Sequence, residues 1–446
     1  MVGVRAAGPS ATHSSVMNRP RSFVCLAAGV LAACGGAGVP APAPAPAPAD
    51  PCVAGSSSRA GAADTLVVAA PGTVVPRDVP VPRSVAERFA FAQVYQTLVR
   101  VDCEGRIAPG LAERWQADRA ARTWTFFLRP DATFADGLPV SAADVVVSWE
   151  ARAVPGPWAG GRDAALEAIG PHALRVRLDE ALDSVPARFA DPVYAVVRAA
   201  DAGGWPLGSG AFTLAGDGDS TLLIPVARPT WPRLRIVAMG DARDAVDHGA
   251  ALVFTRDLGA LSYARSRGGY TDLPLPWDTV YALAAPAGWS GTPRDAQLVE
   301  AVHVDARPAT APDWWGDLLA CLPDSGAAPA GGAVRPTGVI SYPMGDGVAR
   351  DLAARLVALA PSGGTTRARD RDTMHEALGR GDGEAFVLAL PRRTTDVCAT
   401  AAGGLPFGWV LTPLVDVREH ALVQDGAARW RVEADGALRF VMDADR

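Results

Sequence analysis

The sequence predicts an α/β fold of several lobes behind an export leader. Three observations carry this. Helix-like and strand-like segments mix along the chain without a regular βαβ period. Hydrophobic residues make up 49% of the 446 residues. That is ample for a core, yet beyond the N-terminal region no apolar run approaches the roughly 20 residues that cross a bilayer. The N-terminal region itself has the grammar of a secretion signal rather than of a folded element.

The leader comes first. Arg19 and Arg21 precede an apolar run, FVCLAAGVLAA, from Phe23 to Ala33, and small residues close it. Leu31-Ala32-Ala33-Cys34 resembles a bacterial lipobox, in which the cysteine becomes the first mature residue and carries lipid. An ordinary secretory leader with an incidental cysteine is the alternative. Residues 1–33 are read as signal peptide, with Met17 as the start that suits it best, and Cys34 as the anchor on the periplasmic or cell-surface side. Residues 34–63 follow as a tether. VPAPAPAPAPADP cannot bury a core and should run as an extended spacer of about 3.1 Å per residue. The ordered chain is expected to open near Asp64.

Charge and cysteines exclude several classes. The net charge of −6 and the absence of a basic stripe argue against nucleic acid. All 42 basic residues are Arg, which a GC-rich coding sequence explains. Cys25 lies in the leader. Cys52, Cys103, Cys321 and Cys398 are left, with no CxxC to suggest zinc or redox chemistry. An export compartment permits disulfides.

Element by element, Thr65–Ala70 opens the body as a short apolar strand. A Pro- and Arg-containing loop leads to SVAERFAFAQVYQTLVRVD, read as one helix on Val85, Phe89, Ala92 and Leu98. RIAPGLAERW gives a turn and a strand. RTWTFFLRP alternates, with Trp124, Phe126 and Leu128 on one face. Ser141 and Asp144 form a capping-box variant that opens a helix through VVVSWEA. HALRVRLDE alternates on Leu174, Val176 and Leu178. SGAFTLAG, STLLIPVA, RLRIVAMG and LPWDTVYALAAP read as strands, and GDGDS (216–220) as a hairpin turn. RDAQLVEAVHV and GDGVARDLAARLVAL read as helices, the second with a Val348, Leu352, Leu356, Leu359 stripe. EAFVLALP reads as a buried strand, and the segment from Thr412 to Phe440 as hairpin material.

Val94–Glu150 resembles the family 5 extracellular solute-binding proteins, the peptide, nickel and oligosaccharide receptors of ABC importers. The resemblance rests on Tyr95 and Leu98 closing a helix, the Glu104-Gly105 turn, Pro109 to Glu113 with Trp115, and Thr125 to Arg129. It continues in Phe134 to Pro139, then Ser141, Asp144, Ser148 and Trp149. It runs on more weakly through LGSGAFTL, Trp231, VYALAAP, RDAQLVEAVHVDA and the C-terminal segment. These residues turn, pack and cap; none pairs a nucleophile with a base.

The resemblance implies a periplasmic-binding-protein-like clamshell of the three-domain type. Domain I is discontinuous (64–92, 185–278, 412–446), domain II inserted (93–184), and domain III (279–411) shorter than in relatives. It implies a monomer that takes up a small solute, such as a peptide, and hands it to an ABC permease, with no cofactor. Ligand contacts are expected among Arg77, Arg83, Tyr281, Arg392, Arg393 and Asp396, although a solvated turn or loop also explains the charged ones. Trp314-Trp315 caps the lobe or stacks on ligand. On this domain reading Cys321 and Cys398 share one lobe and are the first disulfide to expect.

Other classes fare worse. GxSxG is absent, so a hydrolase elbow is not offered. The histidines are scattered, and His375-Glu376 lacks the second His of HExxH, so no metal site is expected. A scaffold that keeps the fold but has lost transport is the alternative function.

Overall fold

In a computed structural model the described residues are 50–55, 64–118, 122–154, 165–178, 185–199, 204–216, 220–226, 228–286, 295–315, 337–361, 363–380, 383–392 and 409–441. Cys34, Cys321, Arg393, Asp396 and Cys398 lie outside them. So do the segments in which the third domain is expected to be short.

A seven-stranded sheet runs, edge to edge, Tyr270–Pro274, His420–Gln424, Leu252–Thr255, Thr65–Ala70, Arg233–Ala238, Ser220–Pro225 and Phe212–Ala215. Thr65–Ala70 sits in its middle, parallel to the strands on both sides. Leu66, Val68 and Ala70 enter one core and Ala69 another. A strand covered on both faces needs a continuous apolar run, and TLVVAA supplies one.

The helix over this sheet, Val85–Val94, is capped by Ser84, whose Oγ accepts from the Glu87 amide at 3.1 Å. It buries Phe89 edge-on against Phe254 and Trp430. It ends at Val94, earlier than the sequence suggests. The Gly-x-Gly pair Gly208 and Gly210 lies on its last carbonyls: a Cβ on Gly208 would stand 2.0 Å from Val94 O, and one on Gly210 2.2 Å from Gln93 O. The Gly210 amide donates to Val94 O instead. Tyr95 is extended, and the chain leaves for a second lobe through a bridge between Gln96 and Val196.

That lobe is a four-stranded antiparallel sheet ordered Ala112–Asp118, Thr123–Leu128, Ala173–Arg177, Leu166–Gly170. Helix Ala142–Ala151 covers it, and its Ser141–Asp144 capping box forms in both directions. Trp149 stacks on Phe189 at 5.4 Å, and its Nε1 donates to Tyr194 O at 2.9 Å.

The third sheet has six strands: Ala306–Pro308, Trp409–Val417, Thr279–Pro286, Ala385–Pro391, Val339–Pro343 and Thr365–Arg369. Here two helices, Gly347–Leu359 and Arg371–Arg380, join three mutually parallel strands. The sequence shows no such βαβ period because the second helix, RDTMHEALGR, is short and mostly polar. Helix Leu258–Arg267 is likewise absent from the sequence reading. Its apolar stripe is weak, though Asp257 caps its start and Gly268, at φ 74°, ends it.

Three expectations change. The tether is shorter than 34–63, because Val53–Gly55 pairs with Arg429–Arg431 and Asp50 meets Arg431 at 2.8 Å. Cys52, expected within the tether, is bonded to Cys103; the expected Cys321–Cys398 pair lies outside the described residues. The C-terminal segment is not a run of hairpins. Trp409–Val417 and His420–Gln424 join different sheets, and only Arg429–Val432 with Leu438–Val441 makes a hairpin.

Candidate functional site: the crossing between two sheets

The chain passes from the seven-stranded to the six-stranded sheet at Asp278–Thr279 and returns at Val417–Glu419. Register places the carboxyl ends of Thr65–Ala70, Arg233–Ala238 and Leu252–Thr255 at this crossing. The carboxyl ends of Val339–Pro343, Thr365–Arg369 and Ala385–Pro391 reach it from the other sheet. Open α/β sheets bind ligands outside those ends, where loops and helix starts offer backbone and polar groups. Two such edges meet here.

A charged network lies at the crossing. Arg88 Nη1 donates to Asp278 Oδ2 at 2.6 Å, and its Nη2 bonds Glu419 Oε2. Arg256 leaves the end of Leu252–Thr255 and reaches across. Its Nη2 donates to Thr279 Oγ1 at 3.3 Å and its Nη1 to Tyr281 Oη at 3.5 Å. Tyr281 in turn donates to Asp346 Oδ2 at 2.9 Å. Asp346 caps helix Gly347–Leu359 by accepting the Ala349 amide at 2.9 Å. Burial pushes the Tyr281 phenol up; Arg256 opposes this and Asp346 adds to it. Tyr281 is therefore a fixed hydrogen-bond donor, not an acid–base group.

Arg256 Nε and Glu419 Oε1 stand 3.8 Å apart. Both are buried, and neither has a hydrogen-bond partner among the described residues. Buried polar atoms without hydrogen bonds are costly, and the attraction between these two at 3.8 Å offsets part of that cost. Met344, 65% exposed, adds an apolar side chain at the rim.

The residues expected from sequence divide. Tyr281 belongs to the network. Arg77 and Arg83 are exposed on the loop after Thr65–Ala70, with Arg77 4.0 Å from Asp78. Glu87 holds that loop by accepting the Val75 amide at 3.2 Å and the Arg83 amide at 2.7 Å. Burial raises the Glu87 carboxyl's pKa against these bonds. Arg392 is taken up elsewhere: Nη1 donates to Asp416 at 2.9 Å and Nη2 to Thr310 Oγ1 at 2.9 Å. Trp314 is buried, and its Nε1 donates to Arg392 O at 3.1 Å. Arg256, Glu419 and Asp346 were missed. Asp346 ahead of GVARDLAARL is a readable cap; Arg256 and Glu419 have no local signal.

A family model, the bacterial extracellular solute-binding proteins, family 5 (middle part), matches residues 106–247. The periplasmic oligopeptide-binding protein OppA of Escherichia coli K12 is 36% identical over 118 residues, 22% of this chain and 22% of that protein. The E. coli K12 nickel-binding periplasmic protein is 39% identical over 56 residues, 13% of this chain and 11% of its own length. These matches span about a fifth or less of the curated relatives. Over the fold, the E. coli murein tripeptide binding protein MppA superposes with a TM-score of 0.58 at 14% identity, covering 81% of this chain and 94% of that one. The substrate-binding domain of an oligopeptide ABC transporter from Bacillus anthracis Ames gives 0.61 at 11% identity, covering 84% and 99%.

At its centre the sequence is similar to the family 5 extracellular solute-binding proteins, and over most of its length the fold is that of periplasmic binding proteins of this type. Members of this family are substrate-binding components of transport and not enzymes. Among the described residues no three His, Cys, Asp or Glu side chains are grouped to hold a metal, and no helix is long and apolar enough to cross a membrane.

Proposed function

We propose that the chain captures a peptide-like or other small polar solute outside the cytoplasmic membrane and delivers it to an ABC permease. In this reading lipid on Cys34 and the Pro-Ala tether hold it to the membrane. The supporting observation is the crossing: two sheets bring the carboxyl ends of their strands together there, and Arg256 Nε and Glu419 Oε1, an ion pair at 3.8 Å, carry no hydrogen bonds. A guanidinium edge beside a carboxylate suits a ligand that carries both an acceptor and a donor, as a peptide backbone or an amino acid does. Lobe closure over the ligand would exclude water and strengthen those bonds.

Calorimetry and small-angle scattering of the full chain against peptides, amino acids, nickel chelates and oligosaccharides test this. Binding of one class with compaction is expected, weakened at least about tenfold in Arg256→Gln, since a bond to a charged group is worth about 1.5–3 kcal/mol. No binding and no compaction across all four classes would favour a scaffold role instead.

A further inference from the structure

His420 follows Glu419 on the return from the crossing and is 5% exposed. Its Nδ1 lies 2.8 Å from Asp272 Oδ1, on the neighbouring strand of the seven-stranded sheet. Its Nε2 lies 2.9 Å from Asp305 Oδ2, in the segment that enters strand Ala306–Pro308 of the six-stranded sheet. A neutral imidazole has one donor and one acceptor nitrogen, and an ionised carboxylate only accepts. Both contacts are hydrogen bonds only when the ring carries two protons. With one proton, a ring lone pair faces a carboxylate lone pair, with the ring buried and the Asp305 side chain 33% exposed.

We propose that His420 is a proton-operated latch between the two lobes, tying Asp305 of one to Asp272 of the other when charged and loosening when neutral. Imidazole is the side chain that changes charge between about pH 5 and 8, and under the proposed function the protein works in a compartment whose pH follows the surroundings. The latch goes beyond ligand capture and needs no ligand to operate.

Other charges surround it. Arg265, on helix Leu258–Arg267, holds Asp272 at 2.7 Å. Arg418 and Glu419 flank it at the crossing, and Arg256 and Asp257 follow the adjacent strand end. His303 is exposed two residues before Asp305. Backbone ties persist at any pH: Asp257 bridges Val304, and the Arg418 amide donates to Asp305 O at 2.8 Å.

Hydrogen exchange of the full chain without ligand, corrected for intrinsic chemical rates, reads the latch at residues 304–307. Exchange about tenfold faster at about pH 8 than at about pH 5.5 is expected, from losing one charge-assisted bond. In Asp305→Asn the side-chain amide donates to a neutral Nε2, so the dependence should flatten. In His303→Gln it should persist. Exchange that ignores pH in the wild type, a dependence kept in Asp305→Asn, or one abolished in His303→Gln would each overturn the latch. Nitrogen-15 NMR of wild-type imidazoles gives a test that needs no variant: two protonated His420 nitrogens at about pH 5.5 support it, and a neutral ring there refutes it.

Discussion

Cys52 and Cys103 are joined across 51 residues, and the loop they close contains the central strand Thr65–Ala70, the helix Val85–Val94 and the first passage between lobes. Cys52 is buried, on the strap that pairs with the C-terminal hairpin; Cys103 lies in the turn after Val99–Val101, past the passage into the second lobe. The bond therefore fastens the strap before Val53–Gly55 to the turn after Val99–Val101, where Cys103 packs against the first core.

Closing a loop of that length restricts the unfolded chain by about 4 kcal/mol on the entropy model. Cys103→Ser should lower unfolding stability by an amount of that order under oxidising conditions. Adding reductant should do the same to the wild type and nothing further to the variant. Equal denaturant midpoints for both proteins would remove the bond from the stability account.

Gly208 and Gly210 should not accept a methyl group. Each added Cβ would meet a backbone carbonyl that ends a buried helix, so Gly208→Ala and Gly210→Ala should each cost about 1–3 kcal/mol. Gly240→Ala, with open space at its Cβ, is the control. Thermal melts that fail to separate the three variants would contradict the close approach.

Tyr281→Phe keeps the ring and deletes the donor that holds Asp346. The carboxylate then keeps its Ala349 amide bond but loses the phenol, at a cost of about 1–3 kcal/mol. Affinity for whichever solute binds should fall in parallel with that in Arg256→Gln, because both variants break the chain from Arg256 to Asp346. Unchanged affinity in Tyr281→Phe would separate the network from the site.

Acid should act through Glu384. Burial alone would raise its carboxyl, but Arg369, Ser341 and Arg367 outweigh it and hold the pKa below the ordinary value. A carboxylate depressed in the fold stabilises above its unfolded pKa, about 4.3, and that contribution is lost as pH falls through the folded value. Glu384→Gln should therefore be less stable than wild type near neutrality, with the gap closing below about pH 4. A gap that stays constant down to about pH 3 would rule out this linkage.

If Cys34 carries lipid, Cys34→Ser will leave the protein soluble or unprocessed in its host. Membrane fractionation reads this directly, and unchanged anchoring in the variant would reject the lipobox.

Local pattern determined much of this protein. The Ser141–Asp144 cap, the alternation of Trp124, Phe126 and Leu128, the buried run Thr65–Ala70 and the stripe on Gly347–Leu359 are each decided within a few residues by side-chain period and capping chemistry, so the chain announces them. The run of family residues from Val94 to Glu150 announces the fold for the same reason, being turns, caps and large apolar side chains at fixed spacing. Only the tertiary structure decided the rest. Helix Val85–Val94 stops where it does because Gly208 and Gly210, more than a hundred residues away, lie on its last carbonyls. Cys52 finds Cys103 because a three-residue strap pairs with the C-terminal hairpin. Arg256, Glu419, Asp346 and His420 become neighbours of Tyr281, Asp278, Asp272 and Asp305 only when two sheets meet at one crossing, and contacts made between distant segments leave no period for a sequence to show.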